Sequence, residues 1–242
     1  TIYAGATHRD AWLENVAVGP DGKVDFFDDS YTANGRCTFP LSHIEHRSPL
    51  GVPPARYLLI LNRSDHIIPA VARLGRDQAA AYFMLGETKG TSAGGAAEAG
   101  KSLRVPGTNP FFFNDDAWQG NRLLELLDTM PDLQVYLMNT GQVGAAGDGD
   151  DRAKKVRISD SSAIVSAIVE GKIEWEKDPD FGYEVASAVP GVDDVELLQP
   201  RHLYARQGRS VEYAEMVERL TAERRQYLAS FTAPGPPLPP GL

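Results

Sequence analysis

Apolar and polar positions fall into blocks along this chain, and the period changes from block to block. Residues 13–27, read LENVAV-GPDG-KVDFF, predict two short strands joined by a Pro-Asp-Gly turn. Residues 56–62 (RYLLILN) form an unbroken apolar run of the kind found in a fully buried strand. Helix formers fill 76–85 (RDQAAAYFML), and Gly86 closes that helix. The polar, glycine-rich stretch 86–109 has no period and predicts a long structureless loop. Beyond it the alternation is more regular: an aromatic strand at 110–113, a helix over 118–127, a buried strand over 133–138 and a helix over 161–170 ended by Gly171. A last helix, 211–231, places Tyr213, Met216, Val217, Leu220, Tyr227, Leu228 and Phe231 on one face, the stripe of a core-packing helix. Strand, glycine-rich turn (NTGQVGAAGDGDD) and helix in that order predict an α/β layered fold with sites at the carboxyl ends of strands. The reading gives one domain over 1–232 and a proline-rich, mobile tail over 233–242.

Composition narrows the function classes. At 242 residues and 42% hydrophobic the chain can bury a sizeable core. A formal net charge of −9 argues against a sequence-independent nucleic-acid binder or an acidic-membrane binder, because both need clustered Lys and Arg. The single cysteine, Cys37, excludes a disulfide framework and a cysteine-built zinc site, which points to a reducing cytoplasm. No apolar run reaches about 18 residues, so no membrane helix is expected. The chain opens TIYAG without Met, which fits either initiator removal or a piece of a longer protein.

The stretch 94–102, GGAAEAGKS, spells G-x-x-x-x-G-K-[S/T] from Gly95 to Ser102. That motif works when a strand precedes the loop and a helix opens at the Lys, so that backbone N–H groups cradle phosphate. Here a loop-like GETKGTSAGG precedes it, and Pro106-Gly107 end any helix soon after Lys101, so the letters are expected to be a decoy. His43 and His46 have a spacing that would ligate a metal on a helix, but Pro40 and Pro49 flank them, and packing or surface histidines are the expectation. No metal ligand is assigned within the chain. The acidic run 147–151 lacks the order of a calcium loop. Lys154, Lys155 and Arg157 stand between the glycine-rich loop and a helix N-terminus; they read equally as a phosphate or carboxylate holder and as a solvated basic turn balancing GDGDD.

With these motifs in place, the chain resembles the carboxyl-terminal half of ATP-dependent phosphoenolpyruvate carboxykinases from Ile2 to about Phe231. The resemblance rests on LENV (13–16) followed by DGKVDFFDDSYT, on FPLSHI (39–44), on a helix ending in Gly86-x-Thr88, on YLMNTG (136–141), on AIVSAIVEGKI and on PGVDDVELLQPR (190–201). It implies a carboxykinase-like mononucleotide-binding domain with a mixed sheet and flanking helices. It also implies a cytoplasmic, gluconeogenic reaction in which oxaloacetate loses CO₂ and the enolate takes the γ-phosphoryl of ATP, with Mg²⁺ or Mn²⁺. Residue by residue, Arg36 in N-G-R-C-T-F-P matches the family's active-site arginine, and Glu14 matches the LENV glutamate beside the nucleotide. Arg157, or Lys155 without a gap, matches an arginine that packs by adenosine, and Ser161 stands at a nucleotide-contacting Thr. Lys101 falls in a segment that is a mobile lid in the family. The family's P-loop, metal ligands and oxaloacetate-binding arginines all precede the point matching Thr1, so a missing amino-terminal portion is expected as partner, beside nucleotide and a small dicarboxylate. A carboxykinase-like nucleotide- or phospholigand-binding module without catalysis is the alternative, and a true P-loop kinase using Lys101 comes third.

Overall fold

A computed structural model describes residues 2–30, 35–46, 51–90, 100–109, 112–146, 149–237, 239 and 242. The chain divides into two compact units, Thr1–Pro54 with Lys89–Lys101, and Ala55–Thr88 with Ser102–Leu242.

Short pieces build the first unit. α1 (Ile2–Ala6) leads to β1 (Trp12–Glu14), then to the antiparallel pair β2 (Ala17–Val18) and β3 (Val24–Asp25). The predicted turn joins β2 to β3: Gly22 N donates to Gly19 O (2.9 Å), and the Asp21 carboxylate accepts from Lys23 N (3.1 Å). β4 (Arg36–Thr38) pairs antiparallel with β1, and a 3-10 turn (Leu41–His43) follows.

Chain order then runs β5 (Tyr57–Asn62), β6 (Val71–Leu74), α2 (Arg76–Leu85), β7 (Glu87–Lys89), β8 (Ser102–Arg104), α3 (Ala117–Thr129), β9 (Gln134–Asn139), β10 (Gln142–Val143), β11 (Lys154–Lys155), α4 (Ile158–Glu170), β12 (Glu174–Lys177), β13 (Glu184–Ala188), α5 (Val195–Leu198), α6 (Pro200–Arg206) and α7 (Ser210–Leu228). Five strands form one mixed sheet in the order β12-β13-β6-β9-β5, in which only β5 and β9 run parallel. The expected α/β fold with a mixed sheet is therefore observed.

Strand periodicity decides which residue joins which layer. Val135 and Leu137 of β9 pack in one core with Tyr82 and Leu85 of α2 and with Tyr213 and Met216 of α7. Tyr136 and Met138, the alternate residues, pack in a second core with Ile164 and Ile168 of α4, Leu198 of α5 and Leu203 of α6. Each fully buried side chain of this size stabilises the fold by roughly 1.5–3 kcal/mol. The α7 stripe is core, as its spacing predicts: Tyr213, Met216 and Leu228 are buried, and Val217, Leu220, Tyr227 and Phe231 are packed against them.

A buried charge network ties α7 to β7. Arg224 is fully buried; its Nε and Nη2 donate to the two Glu87 carboxylate oxygens (2.9 and 2.7 Å), and its Nη1 donates to the Tyr82 hydroxyl (3.1 Å). The guanidinium also lies over the Tyr82 and Phe181 rings, at 5.0 and 5.1 Å. Burial pushes the Glu87 carboxyl up, but the charges and bonds of Arg224 and Arg104 together outweigh it and hold the group below its usual range.

Four local expectations are corrected. The 56–62 run is an edge strand with Leu61 exposed, because among the described residues no strand pairs beyond β5. The stretch 86–109 is not structureless: β7 and β8 form a two-stranded ladder, extended by Gly90 N donating to Lys101 O (2.8 Å). Of the aromatic strand at 110–113, residues 110 and 111 lie outside the described residues, and 112–113 are not strand, with Phe113 99% exposed. The glycine-rich acidic loop is bracketed by a short antiparallel pair, Gln142 opposite Lys155 and Val143 opposite Lys154. At the carboxyl end, Thr232 N (2.6 Å), Thr232 Oγ1 (2.6 Å) and Ala233 N (3.0 Å) donate to one oxygen of Asp115, Asn121 donates to Pro234 O (2.7 Å), and Leu242 is buried.

Candidate functional site

The carboxyl ends of β5 and β9, the one parallel pair, lie side by side at Asn62 and Asn139. Chain leaving parallel strands at such an end is where α/β folds place ligands. Asn139 is fully buried and organises this end. Its Oδ1 accepts from Ser64 N (3.0 Å) and Gly141 N (2.9 Å), and its Nδ2 donates to Ile68 O (3.0 Å) and Gln142 O (3.1 Å). The amide's two acceptor and two donor positions are thereby all used. Thr140 N and Oγ1 both donate to Asn62 O (2.9 and 3.2 Å), while Gly141 O accepts from Val156 N (3.0 Å). Only glycine fits at 141, since a Cβ there would collide with the Ser64 carbonyl oxygen. The turn after β9 is thus bonded to the segment that opens α4.

A surface groove of about 600 Å³ lies at this junction, lined by Thr140, Val156, Arg157, Ile158, Ser161, Ser162, Val165 and Ser166. Arg157 caps α4 in extended conformation, and its backbone N–H is taken by the Asp160 carboxylate (2.8 Å). Asp160 in the first turn offsets the positive end of the helix, so this N-terminus is poorer for a phosphate than an uncharged one. The lining combines buried Val156, the more exposed Val165 and Ile158, four hydroxyls and one guanidinium. That set suits a heteroaromatic base joined to a sugar bearing hydroxyls, with the Arg157 guanidinium able to stack on the base. The residues present therefore fit the nucleoside part of ATP. They do not fit a divalent cation, because no carboxylate or imidazole lines the groove.

The sequence-nominated residues fall in two places. Arg157 and Ser161 line the groove, and Lys155 is exposed on β11 two residues before Arg157. Lys154, the third cation of that cluster, is occupied instead: its Nζ donates to both oxygens of Asp194 (2.8 and 2.6 Å) and lies 2.5 Å from Glu196 Oε2. Glu196 also pairs with Arg206, and these bonds, despite some desolvation, hold its carboxyl down at about 2. Glu14 and Arg36 belong to the other unit, where they are Cα partners across the β1–β4 ladder. Both are exposed, and Glu14 Oε1 accepts from Trp12 Nε1 (3.2 Å). Lys101 is exposed, and residues 94–99 of GGAAEAGKS lie outside the described residues. His43 and His46 do not converge: His46 Nδ1 bonds Ile44 O (3.0 Å), while the His43 ring stacks on His8 at 3.7 Å.

Thr140, Ser162 and Ser166 line the groove without having been nominated from sequence. The signal was present in YLMNTG, where Asn and Thr end an apolar strand just before glycine.

Fold and groove together give an α/β domain with a groove of about 600 Å³ at the carboxyl end of its parallel strands. The model of the phosphoenolpyruvate carboxykinase family matches residues 1–195, and the chain belongs to the ATP-dependent phosphoenolpyruvate carboxykinase family. It is 33% identical over 227 residues to a phosphoenolpyruvate carboxykinase (ATP) of Aeropyrum pernix, covering 93% of this chain and 42% of that protein. It is 30% identical over 240 residues to that of Pelobacter propionicus (95% and 43%), and 33% identical over 213 residues to that of Mesorhizobium japonicum (84% and 38%). The chain therefore spans less than half the length of these relatives. Among the described residues no helix is long and apolar enough to cross a membrane.

Proposed function

We propose that this chain is the nucleotide-side part of an enzyme that converts oxaloacetate and ATP to phosphoenolpyruvate, ADP and CO₂. The observation that carries the proposal is the α4 groove, in which a guanidinium, four hydroxyls and three apolar side chains meet at the end of the parallel strands. Val156, Ile158 and Val165 hold the base, the hydroxyls of Thr140, Ser161 and Ser162 bond the sugar, and Arg157 covers the ring. Lys155 adds positive charge beside it. From the resemblance alone, Arg36 is assigned a phosphoryl-charge role and its cross-strand partner Glu14 a nucleotide-side role. A bound Mg²⁺ or Mn²⁺ supplies further charge neutralisation at the transferring phosphoryl group. We place its ligands, and the oxaloacetate contacts, in the counterpart of the relatives' remaining length. A cytoplasmic location follows from the same reading.

A second reading, nucleotide binding without turnover, is favoured by Lys154, which is committed to Asp194 and Glu196 and so is unavailable to a phosphate. The two readings separate in one experiment. The longest natural form is assayed with oxaloacetate, ATP and Mn²⁺ for phosphoenolpyruvate, and ATP binding is measured by calorimetry on the same sample. Binding with turnover supports the first reading, and binding alone supports the second. Absence of binding refutes both.

A further inference from the structure

The turn between α1 and β1 and the 3-10 turn at 41–43 bring two imidazoles and a carboxylate together within the first unit. His8, Asp10 and His43 each present one donor atom, and the three atoms lie within 4.8 Å of one another. His8 Nδ1 is 3.7 Å from Asp10 Oδ2, and His43 Nε2 is 4.0 Å from the same oxygen. Neither distance is a hydrogen bond. The His43 ring is also unsatisfied at its other nitrogen, since Nδ1 is buried and has no partner among the described residues. Among the described residues this half-buried imidazole has no hydrogen bond at either nitrogen, and beside it stand a second imidazole and a carboxylate oxygen, together the donor set of a metal site.

We infer that His8, Asp10 and His43 bind one borderline divalent cation of the zinc class. Two nitrogens and one oxygen suit zinc, whereas Mg²⁺ prefers an all-oxygen octahedron. Bond lengths of about 2.0–2.2 Å place tetrahedral ligand atoms about 3.3 Å apart. The present separations therefore need to close by about 0.4 to 1.5 Å. Rotation of the rings out of their stack, now 26° from parallel, brings both lone pairs toward Asp10 Oδ2. Two existing contacts yield to the ion: Asp10 N donating to His8 Nδ1 (3.2 Å), and Arg9 Nε, 3.6 Å from Asp10 Oδ1. The Arg9 side chain is 89% exposed and faces the other carboxylate oxygen, so it can swing into solvent. Water fills the fourth position, as expected of a three-ligand site open on one side.

The test uses metal-stripped protein without nucleotide. Co²⁺ is titrated as a probe and followed by its visible d–d absorption, and Zn²⁺ affinity is measured by calorimetry. Saturable tetrahedral Co²⁺ bands, displaced by Zn²⁺ and not by excess Mg²⁺, are expected. His8→Gln and His43→Ala should each weaken Zn²⁺ by about tenfold or more, and His46→Ala should leave it within about twofold. Because His43→Ala removes a half-buried ring, His8→Gln and Asp10→Asn, at more exposed positions, carry the decision when circular dichroism shows that variant misfolded. No Co²⁺ bands, or Zn²⁺ affinity unchanged in His8→Gln and Asp10→Asn, overturns the inference and leaves the trio an imidazole–carboxylate contact only.

Discussion

Glu14 and Arg36 occupy the same rung of the β1–β4 ladder, so the two residues nominated separately from the LENV and NGRCTFP stretches are cross-strand partners. Residues opposed in this way have Cβ atoms about 5 Å apart and lie on the same face of the ribbon. One substrate group can therefore meet both.

If Arg36 carries phosphoryl charge, Arg36→Ala lowers kcat/KM of the full-length enzyme about a hundredfold or more, and Arg36→Lys recovers part of the loss. Glu14→Gln, which keeps the acceptor for Trp12, should act mainly on KM for ATP. Steady-state kinetics checks both, and unchanged kcat/KM in Arg36→Ala removes that residue from the reaction.

In the groove, Arg157→Ala should weaken ATP binding by about tenfold, near 1.4 kcal/mol, and Lys155→Ala by less. Lys101→Ala should leave affinity within about threefold, because the flanking ladder gives it no helix N-terminus to complete. Calorimetric titration of the four proteins checks the order. A hundredfold loss in Lys101→Ala would reinstate the phosphate-loop reading.

Arg224→Met removes the bidentate partner of Glu87 and leaves that carboxylate with Arg104, 3.2 Å from its Oε1, as its remaining cation. A loss of about 3–5 kcal/mol in urea unfolding is expected. Adding Glu87→Gln to that variant should restore part of it, because the desolvated carboxylate, left with Arg104 alone, is gone. A non-additive recovery in the double variant is the decisive measurement.

Glu196 sets an acid limit. Its folded-state pKa, about 2, lies below the ordinary 4.5, so its ion pairs with Arg206 and Lys154 contribute stability that is complete above about 4.5. That contribution is lost as pH falls from there toward 2. Glu196→Gln should therefore lower Tm at neutral pH, with the gap to wild type closing in acid. A gap independent of pH would place the effect elsewhere.

Much of this architecture was legible in sequence. The helices at 76–85 and 161–170 were readable because glycine stood at their ends, and the 133–138 strand because its apolar run ends at a glycine-rich turn. RYLLILN was harder: its composition reports burial on both faces, and only the strand order reveals it as an edge. For the groove, Arg157 and Ser161 came from aligned letters. For Thr140 the YLMNTG pattern marks a strand end, but its place in the groove depends on Asn139 being saturated by partners from residues 64, 68, 141 and 142. Lys154 illustrates the opposite error. A basic cluster looks available until Asp194 and Glu196, forty residues on, are folded against it. His8 and His43 were never compared because two turns, not one helix, bring them together.

The pairing of β5 with β9 also has a cost during synthesis. β6, α2, the β7–β8 ladder and α3 are made between β5 and β9, its one sheet neighbour among the described residues, so YLLILN has no strand to pair with until β9 has been made. At ~5–20 residues per second the nascent segment waits on the order of several seconds. During that interval it is the part of the chain most exposed to self-association, and the natural target for a chaperone that recognises extended apolar strands.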